Sequence, residues 1–286
     1  MQVVNRIATL REQVRAWRKE NLKVALVPTM GNLHKGHISL VAHAQDLAER
    51  VVVSIFVNPL QFGPNEDYEQ YPRTLEHDKE LLSKVNADFV FAPPVYEIYP
   101  VGHERTTTVD VGDLAGILCG AFRPGHFTGV ATVVTKLLNI VTPDIAVFGE
   151  KDYQQLIVIR RLVADLCLPV EIRGGPTIRD HDGLALSSRN KYLSARERNV
   201  APKLYESLKL AKQRIEKGEN DFEAIQRNGM QTLERAGFQP DYFAIRQAAD
   251  LAPLRAESRD LIVLAAARLG KARLIDNVHA HIIEHH

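Results

Sequence analysis

Between Val24 and about Arg173, short apolar runs alternate with longer amphipathic stretches. The runs fall at residues 24–27, 51–57, 89–91, 145–148 and 170–172, are rich in Val, Ile and Phe, and are too short for typical helices. Near-continuous runs of this kind fit strands covered on both faces of a parallel sheet. Residues 39–50, 75–85, 129–140 and 153–166 read as the helices between them. In the last, Leu156, Ile159, Leu162, Val163 and Leu166 make one i, i+3, i+4 stripe. The alternation predicts right-handed βαβ units, whose ligands sit at the carboxyl ends of the strands.

The pattern changes at Gly174-Gly175-Pro176, a breaker cluster that reads as a boundary and a hinge. Beyond it, Ser194 with Glu197 forms the capping box of a first helix, and a second ends near Gly237. Strands are expected at 242–246, 261–266 and 272–275. Helices followed by strands indicate a separate α+β domain. The expected division is 1–175, an α/β domain with a parallel sheet, and 176–286, a smaller α+β domain.

Composition narrows the function classes. At 286 residues, 45% hydrophobic and 25% charged, the chain fits a soluble globular protein of about two domains. With 36 basic against 35 acidic residues, it carries no electrostatic footprint for nucleic acid. Arg11, Arg15, Arg18 and Lys19 interrupt the N-terminal segment, and no run approaches a membrane span, so a cytoplasmic protein with no membrane partner is expected. Cys119 and Cys167 sit among apolar neighbours and read as buried, inert thiols. His279, His281, His285 and His286 read as a solvated tail or an appended remnant, outside any site.

The candidate chemistry starts at Pro28-Thr29-Met30-Gly31-Asn32-Leu33-His34-Lys35-Gly36-His37, between the first apolar run and a helix. Backbone N–H groups of such a loop and the helix N-terminus favour an anion, and His34 and His37 can both donate to phosphate. The spacing of Gly31 and Gly36 mimics a Walker loop. His37 stands where that loop needs lysine, however, and Ile38 where it needs a hydroxyl, which argues against a P-loop NTPase. A turn with a helix-capping histidine is the plain alternative. His34-Lys35-Gly36-His37 resembles the H-x-G-H signature of the HIGH nucleotidyltransferase superfamily, which implies a Rossmann-like first domain.

Three further segments are expected at the same sheet edge. Asn58 and Gln61 follow the second run; Asn58 reads equally as a turn former, whereas Gln61 has no turn role and reads as a ligand contact. Gly149-Glu150-Lys151-Asp152 joins a strand to a helix, and Lys151 is disfavoured at a helix start unless an anion is bound. Gln155 lies one turn later, and Asp152 could be a simple cap. Leu186-Ser187-Ser188-Arg189-Asn190 suits a polyphosphate or a polar surface loop, and stands where the superfamily carries its KMSKS-like loop. Arg123-Pro124-Gly125-His126-Phe127 reads as a pocket lining or a turn, and Asp78 as a solvated helix acid in preference to a magnesium contact.

Together with Tyr71-Pro72-Arg73-Thr74, these segments resemble the pantoate–β-alanine ligase family (pantothenate synthetases) in order and spacing over nearly the whole chain. The resemblance implies adenylation of pantoate by ATP, release of pyrophosphate, and attack by β-alanine with release of AMP. It implies that His34, His37 and Lys151 are catalytic, with His37 the best donor to the α-phosphate. ATP would be bound by Met30, Gly31, Asn32, Leu33, His34, Lys35, Gly36, His37, Gly149, Glu150, Lys151, Asp152, Ile178, Leu186, Ser187, Ser188 and Arg189. Gln61 and Gln155 would bind pantoate or β-alanine. Magnesium would be held mainly by ATP oxygens rather than by protein ligands, the second domain would act as a lid whose 187–189 loop moves, and the protein would be a homodimer. Two rivals stay open: another small-molecule nucleotidyltransferase, and a nucleotide-binding regulator without catalysis.

Overall fold

The computed structural model describes residues 1–64 and 66–282; His285 and His286 of the histidine-rich end lie outside them. The elements run β1 (Gln2–Val4), α1 (Ile7–Lys19), β2 (Val24–Thr29), α2 (Lys35–Gln45), β3 (Arg50–Ile55), α3 (Leu75–Lys84), β4 (Phe89–Phe91), α4 (Val95–Ile98), α5 (Cys119–Phe122), α6 (His126–Val141), β5 (Ile145–Gly149), α7 (Tyr153–Asp165), β6 (Glu171–Gly175), α8 (Ala195–Val200), α9 (Lys203–Glu216), α10 (Phe222–Arg235), β7 (Gln239–Gln247), β8 (Asp260–Leu269) and β9 (Ala272–His281). They divide into two compact units. The first is Met1–Glu150 with Val158–Pro176; the second is Lys151–Ile157 with the chain from Thr177 onward. The short segment carrying Lys151 and Gln155 therefore belongs with the second unit, a detail that the simple cut at residue 175 does not contain.

The first unit is built on a parallel sheet in the order β1-β4-β3-β2-β5-β6. Apart from edge strand β1, this is a Rossmann-like arrangement. The chain moves outward from β2 to β3 and β4, then crosses back to place β5 on the other side of β2. The central strands are apolar on both faces, as the uninterrupted runs require: Val24 to Val27 and Val51 to Val53 are all fully buried. Leu40, Val41 and Ala44 of α2 and Leu82 of α3 pack with Ala25, Val27, Val51, Val53 and Val90. Helix α6 buries residues around most of its circumference, from Phe127 to Val141, so core packing accounts for its apolar character.

The second unit carries an antiparallel sheet, β7-β8-β9. Its core joins Leu204, Leu208 and Ile215 of α9, Ile225 and Leu233 of α10, and Phe243, Val263 and Leu274 of the sheet. The capping box of Ser194 and Glu197 is present at α8. Helix α8 stops at Val200 and α9 begins at Lys203, so there are three helices where the pattern suggested two; Pro202 separates the pair.

Several other readings are corrected. Gly174 and Gly175 are not a breaker: they continue β6 and pair with Phe148 and Gly149, leaving the division of units at Pro176 and Thr177. Strand β1 and helix α1 escaped the pattern because β1 is three residues long and α1 exposes most of its surface, burying only Leu10, Val14 and Trp17. Cys119 is buried, but Cys167 is exposed. It lies beyond the end of α7 with φ +52°, next to Leu166, which is also exposed. His279 and His281 are not a tail; they belong to β9, where His279 meets the Tyr153 ring edge-on at 5.2 Å and His281 pairs with Asp260 at 2.7 Å.

Candidate active site

The order reversal at β2 and β5 marks the candidate ligand site. In a doubly wound sheet, the loops leaving two strands on opposite sides of such a switch point separate and open a crevice at their carboxyl ends. The loops here are 30–37 after β2 and Gly149-Glu150 after β5; the loop after β3, carrying Asn58 and Gln61, is next to the first.

The 30–37 loop is held from beneath. Gly31 adopts φ +79°, and a Cβ there would come within 3.0 Å of Asp78 Oδ2 and Ile55 Cγ2. Asp78 is fully buried. Its carboxylate accepts from the backbone N–H of Asn32 (3.0 Å) and Leu33 (2.8 Å) and from the Thr74 hydroxyl (3.2 Å). Gly31 N donates to Thr29 Oγ1 at 3.2 Å. Two expectations change. Asp78 is neither a solvated acid nor a metal contact, because its oxygens face the chain itself. The loop's N–H groups at Gly31, Asn32 and Leu33 are engaged within the protein, so these three are not the donors for an anion. Asp78→Ala would leave two buried backbone donors unsatisfied and should cost about 3 kcal/mol, measurable by urea unfolding.

Side chains that can donate follow at His34 and His37. His34 caps α2: its Nδ1 accepts from Gly36 N (3.1 Å), and His37 Nδ1 accepts from His34 N (3.3 Å). The capping alternative is thus real, but it also determines chemistry. A ring nitrogen that accepts from a backbone N–H carries a lone pair, so the neutral imidazole bears its proton on Nε2. Both rings are therefore set as Nε2–H donors, with centroids 4.1 Å apart, at the N-terminus of α2. Lys35 is exposed at the first helical position, while Leu33 is buried and anchors the loop in the core.

Gln61 and Met30 come together, with Gln61 Nε2 donating to Met30 Sδ at 3.0 Å. Asn58 is fully buried. Its Nδ2 donates to Gln61 Oε1 (3.1 Å) and to Gly129 O (3.0 Å), and its Oδ1 accepts from Tyr99 O–H (2.7 Å). Burial pushes the Tyr99 hydroxyl's pKa far up, which keeps it a donor. Asn58 is therefore a packing hub that orients Gln61.

Glu150, the last residue of the first unit's long segment, makes with Lys151 and Asp152 of the second a 3-10 turn that leads into α7. Lys151 is 19% exposed and lies 3.8 Å from Asp152 Oδ1. Its backbone carbonyl accepts from Asn277 Nδ2 (3.1 Å), and Tyr153 O–H donates to Ala248 O (2.9 Å). Gln154 is buried, whereas Gln155 is half-buried. The neighbouring 178–190 loop is tied down at its base. Arg179 binds buried Asp276 through two bonds (2.6 and 2.9 Å), lies 3.6 Å over the Tyr205 ring, and donates to Gly183 O. Leu186 N donates to Ile178 O (2.9 Å), and Asn190 Nδ2 to Ala185 O (3.0 Å). Arg198 binds both Asp180 and Asp182. Hydrogen bonds from the side chain and backbone of His181, then from Arg198, hold the Asp180 carboxyl well below the usual carboxylate range. Ser187 caps a short 3-10 turn by accepting from Arg189 N, so Leu186, Ser187, Ser188 and Arg189 stand on a braced base.

Reasoning from sequence misread Asp78 and missed Tyr99, Arg179, Asp276 and Asn277. A signal existed for Asp78, which lies one turn from buried Leu82 on the inner face of α3. For Asp276 and Asn277, the strand pattern offered only two polar residues in an otherwise ordinary β9.

Comparison with known proteins decides the family. The family model for pantoate-beta-alanine ligase matches residues 2–279. The chain belongs to the pantoate–β-alanine ligase family. It is 55% identical to the pantothenate synthetase of Alkalilimnicola ehrlichii, with 97% of each chain covered, and 54% identical to that of Nitrosococcus oceani, with 99% of each covered. The crystal structure of the Thermus thermophilus pantothenate synthetase superposes with a TM-score of 0.90 at 47% identity, over 97% of this chain and 99% of that one. A Francisella tularensis pantoate-β-alanine ligase, crystallised in complex with β-γ ATP and β-alanine, gives a TM-score of 0.80 at 37% identity, with 97% of each chain covered.

Proposed function

We infer that this ligase condenses pantoate with β-alanine to form pantothenate, using ATP and releasing AMP and pyrophosphate. The observation that carries the reading is the pair of Nε2–H donors, His34 and His37, at the helix start beside the β2/β5 switch point of a chain in this family. In the first step, a pantoate carboxylate oxygen bonds to the α-phosphorus of ATP, the bond to the β-phosphate bridging oxygen breaks, and pyrophosphate leaves. In the second, the β-alanine amine attacks the acyl carbon, the bond to AMP oxygen breaks, and the amine sheds a proton. No protein nucleophile is required.

The residue types suit this chemistry. An anion attacking a polyanion needs preorganised donors where charge builds up. His37 and His34, with Lys151, hold the α-phosphate; Ser187, Ser188 and Arg189 hold the outgoing pyrophosphate. Met30, Gly31, Asn32, Leu33, Lys35, Gly36, Gly149, Glu150, Asp152, Ile178 and Leu186 frame the nucleotide by shape and by backbone carbonyls. Gln61 and Gln155 bind pantoate; neutral amides leave its carboxylate nucleophilic, whereas a cation would damp it. Magnesium would be held mainly by the phosphate oxygens of ATP, where it would neutralise charge on the departing pyrophosphate. Among the described residues no helix is long and apolar enough to cross a membrane. The functional assembly is a homodimer; sedimentation of active protein as single chains would contradict that.

Product analysis tests the reading. With ATP, magnesium, pantoate and β-alanine, pantothenate, AMP and pyrophosphate should appear in equal amounts. Formation of ADP and phosphate would overturn the adenylate route.

A further inference from the structure

We propose that Glu66, Arg123 and His126 act as a positioning relay that fixes the backbone of Gln61 and thereby shapes the pantoate site without touching substrate. The proposal rests on the reading of Gln61 as a pantoate contact. It accounts for the 123–127 segment, which the function so far leaves without a role.

The relay has a single consistent pattern of donors. His126 Nδ1 lies 2.8 Å from the Gln61 carbonyl oxygen, which can only accept, so Nδ1 carries a proton. His126 Nε2 lies 2.9 Å from Arg123 Nη1. A guanidinium donates and does not accept, so Nε2 carries a lone pair. The ring is thereby neutral and confined to one tautomer; a second proton would point at the guanidinium. Arg123 is in turn clasped by Glu66, with Nε to Oε1 and Nη2 to Oε2 both at 2.6 Å, a bidentate geometry that fixes the plane of the fork. Its Nη2 also reaches Gln61 O at 3.4 Å. The pair is mostly shielded, at 15% and 26% exposure. Burial raises the Glu66 carboxyl pKa, but the hydrogen bond and charge of Arg123 lead the effects that lower it, and the net shift is downward.

Gln61 is consequently held at both ends. Its carbonyl is set by His126 and Arg123, and its side-chain amide by Asn58 and Met30. The turn that carries it packs directly on the backbone of α6: a Cβ at Gly129 would lie 2.3 Å from Leu60 O and 2.6 Å from Gln61 N, so only glycine admits this approach. Because one face of the amide is fixed as an acceptor from Asn58, a tilt of the backbone would re-aim the Nε2–H group.

The test is steady-state kinetics on Gln61→Ala, His126→Ala, His126→Gln and His126→Asn, each with a thermal melt. His126→Ala and His126→Gln should raise KM for pantoate about tenfold, with KM for ATP changed less than about twofold, as loss of one oriented hydrogen bond would. His126→Asn should recover most of the loss, because its amide nitrogen falls where Nδ1 stands, whereas that of glutamine falls near Nε2. Parallel rises in KM for both substrates, or an asparagine variant no better than alanine, would overturn the relay. If Gln61→Ala raises KM for pantoate and the His126 variants do not, the relay alone is wrong. An unchanged KM for pantoate in Gln61→Ala would remove the reading of Gln61 and the relay with it.

Discussion

Replacing His37 by asparagine is expected to leave the fold standing and to lower the rate of pantoyl adenylate formation at least about a hundredfold. The substitution separates two jobs of one ring. His37 Nδ1 accepts from His34 N and so completes the cap of α2. An asparagine oxygen can take over that acceptor role, since Asn overlays the Nδ1 side of a histidine, and a lost cap would in any case cost only about 1 kcal/mol. What asparagine cannot supply is the Nε2–H donor further out. A hydrogen bond that strengthens as charge develops on the phosphate contributes to the transition state far more than to the ground state, so kcat should fall with little change in KM for ATP. Urea unfolding and single-turnover kinetics on the same preparation check both halves. Wild-type turnover in His37→Asn would show that the ring is only a cap.

Lys151→Ala should lose at least about a hundredfold as well, for a different reason. The side chain is mostly shielded, with a carboxylate 3.8 Å away, and its base is locked by the Asn277 bond to its carbonyl. A cation at the start of a helix opposes the helix dipole, so the position is unfavourable until an anion arrives. Removing the charge should therefore cost little stability, within about 1 kcal/mol as for most partly exposed ion pairs, while removing the counter-charge that the proposed mechanism sets against the α-phosphate. The expected signature is a large fall in kcat/KM with an unchanged urea midpoint. Comparable losses of stability and activity would mark Lys151 as structural.

Sequence and structure part company in a physically coherent way. The parallel sheet was legible because strands buried on both faces must be apolar at nearly every position, as at 24–27 and 51–53. The position of the 30–37 loop after β2 followed from the same runs. Edge strand β1 was not legible, since a three-residue strand leaves almost no pattern. Gly174 and Gly175 misled because glycine disfavours strands in general, yet here Gly175 packs against Leu40, where a Cβ would lie 2.3 Å from Leu40 Cδ2. The supports of the candidate site were the least visible. Asp78 reads as an ordinary helix acid until the tertiary fold brings Asn32 and Leu33 to it from more than forty positions away. The same holds for Arg179 with Asp276, partners separated by nearly a hundred residues. Donors that would meet ligand stand out by type and motif; the groups that aim them are defined only by long-range contacts.

The most direct test of the central claim is pyrophosphate exchange into ATP with magnesium and pantoate present and β-alanine withheld. The account predicts exchange that depends on pantoate and disappears in Lys151→Ala and His37→Asn, because reversible formation of pantoyl adenylate returns labelled pyrophosphate to ATP. No exchange with pantoate, from protein that still makes pantothenate when β-alanine is added, would contradict a free-standing adenylate step and the mechanism built on it.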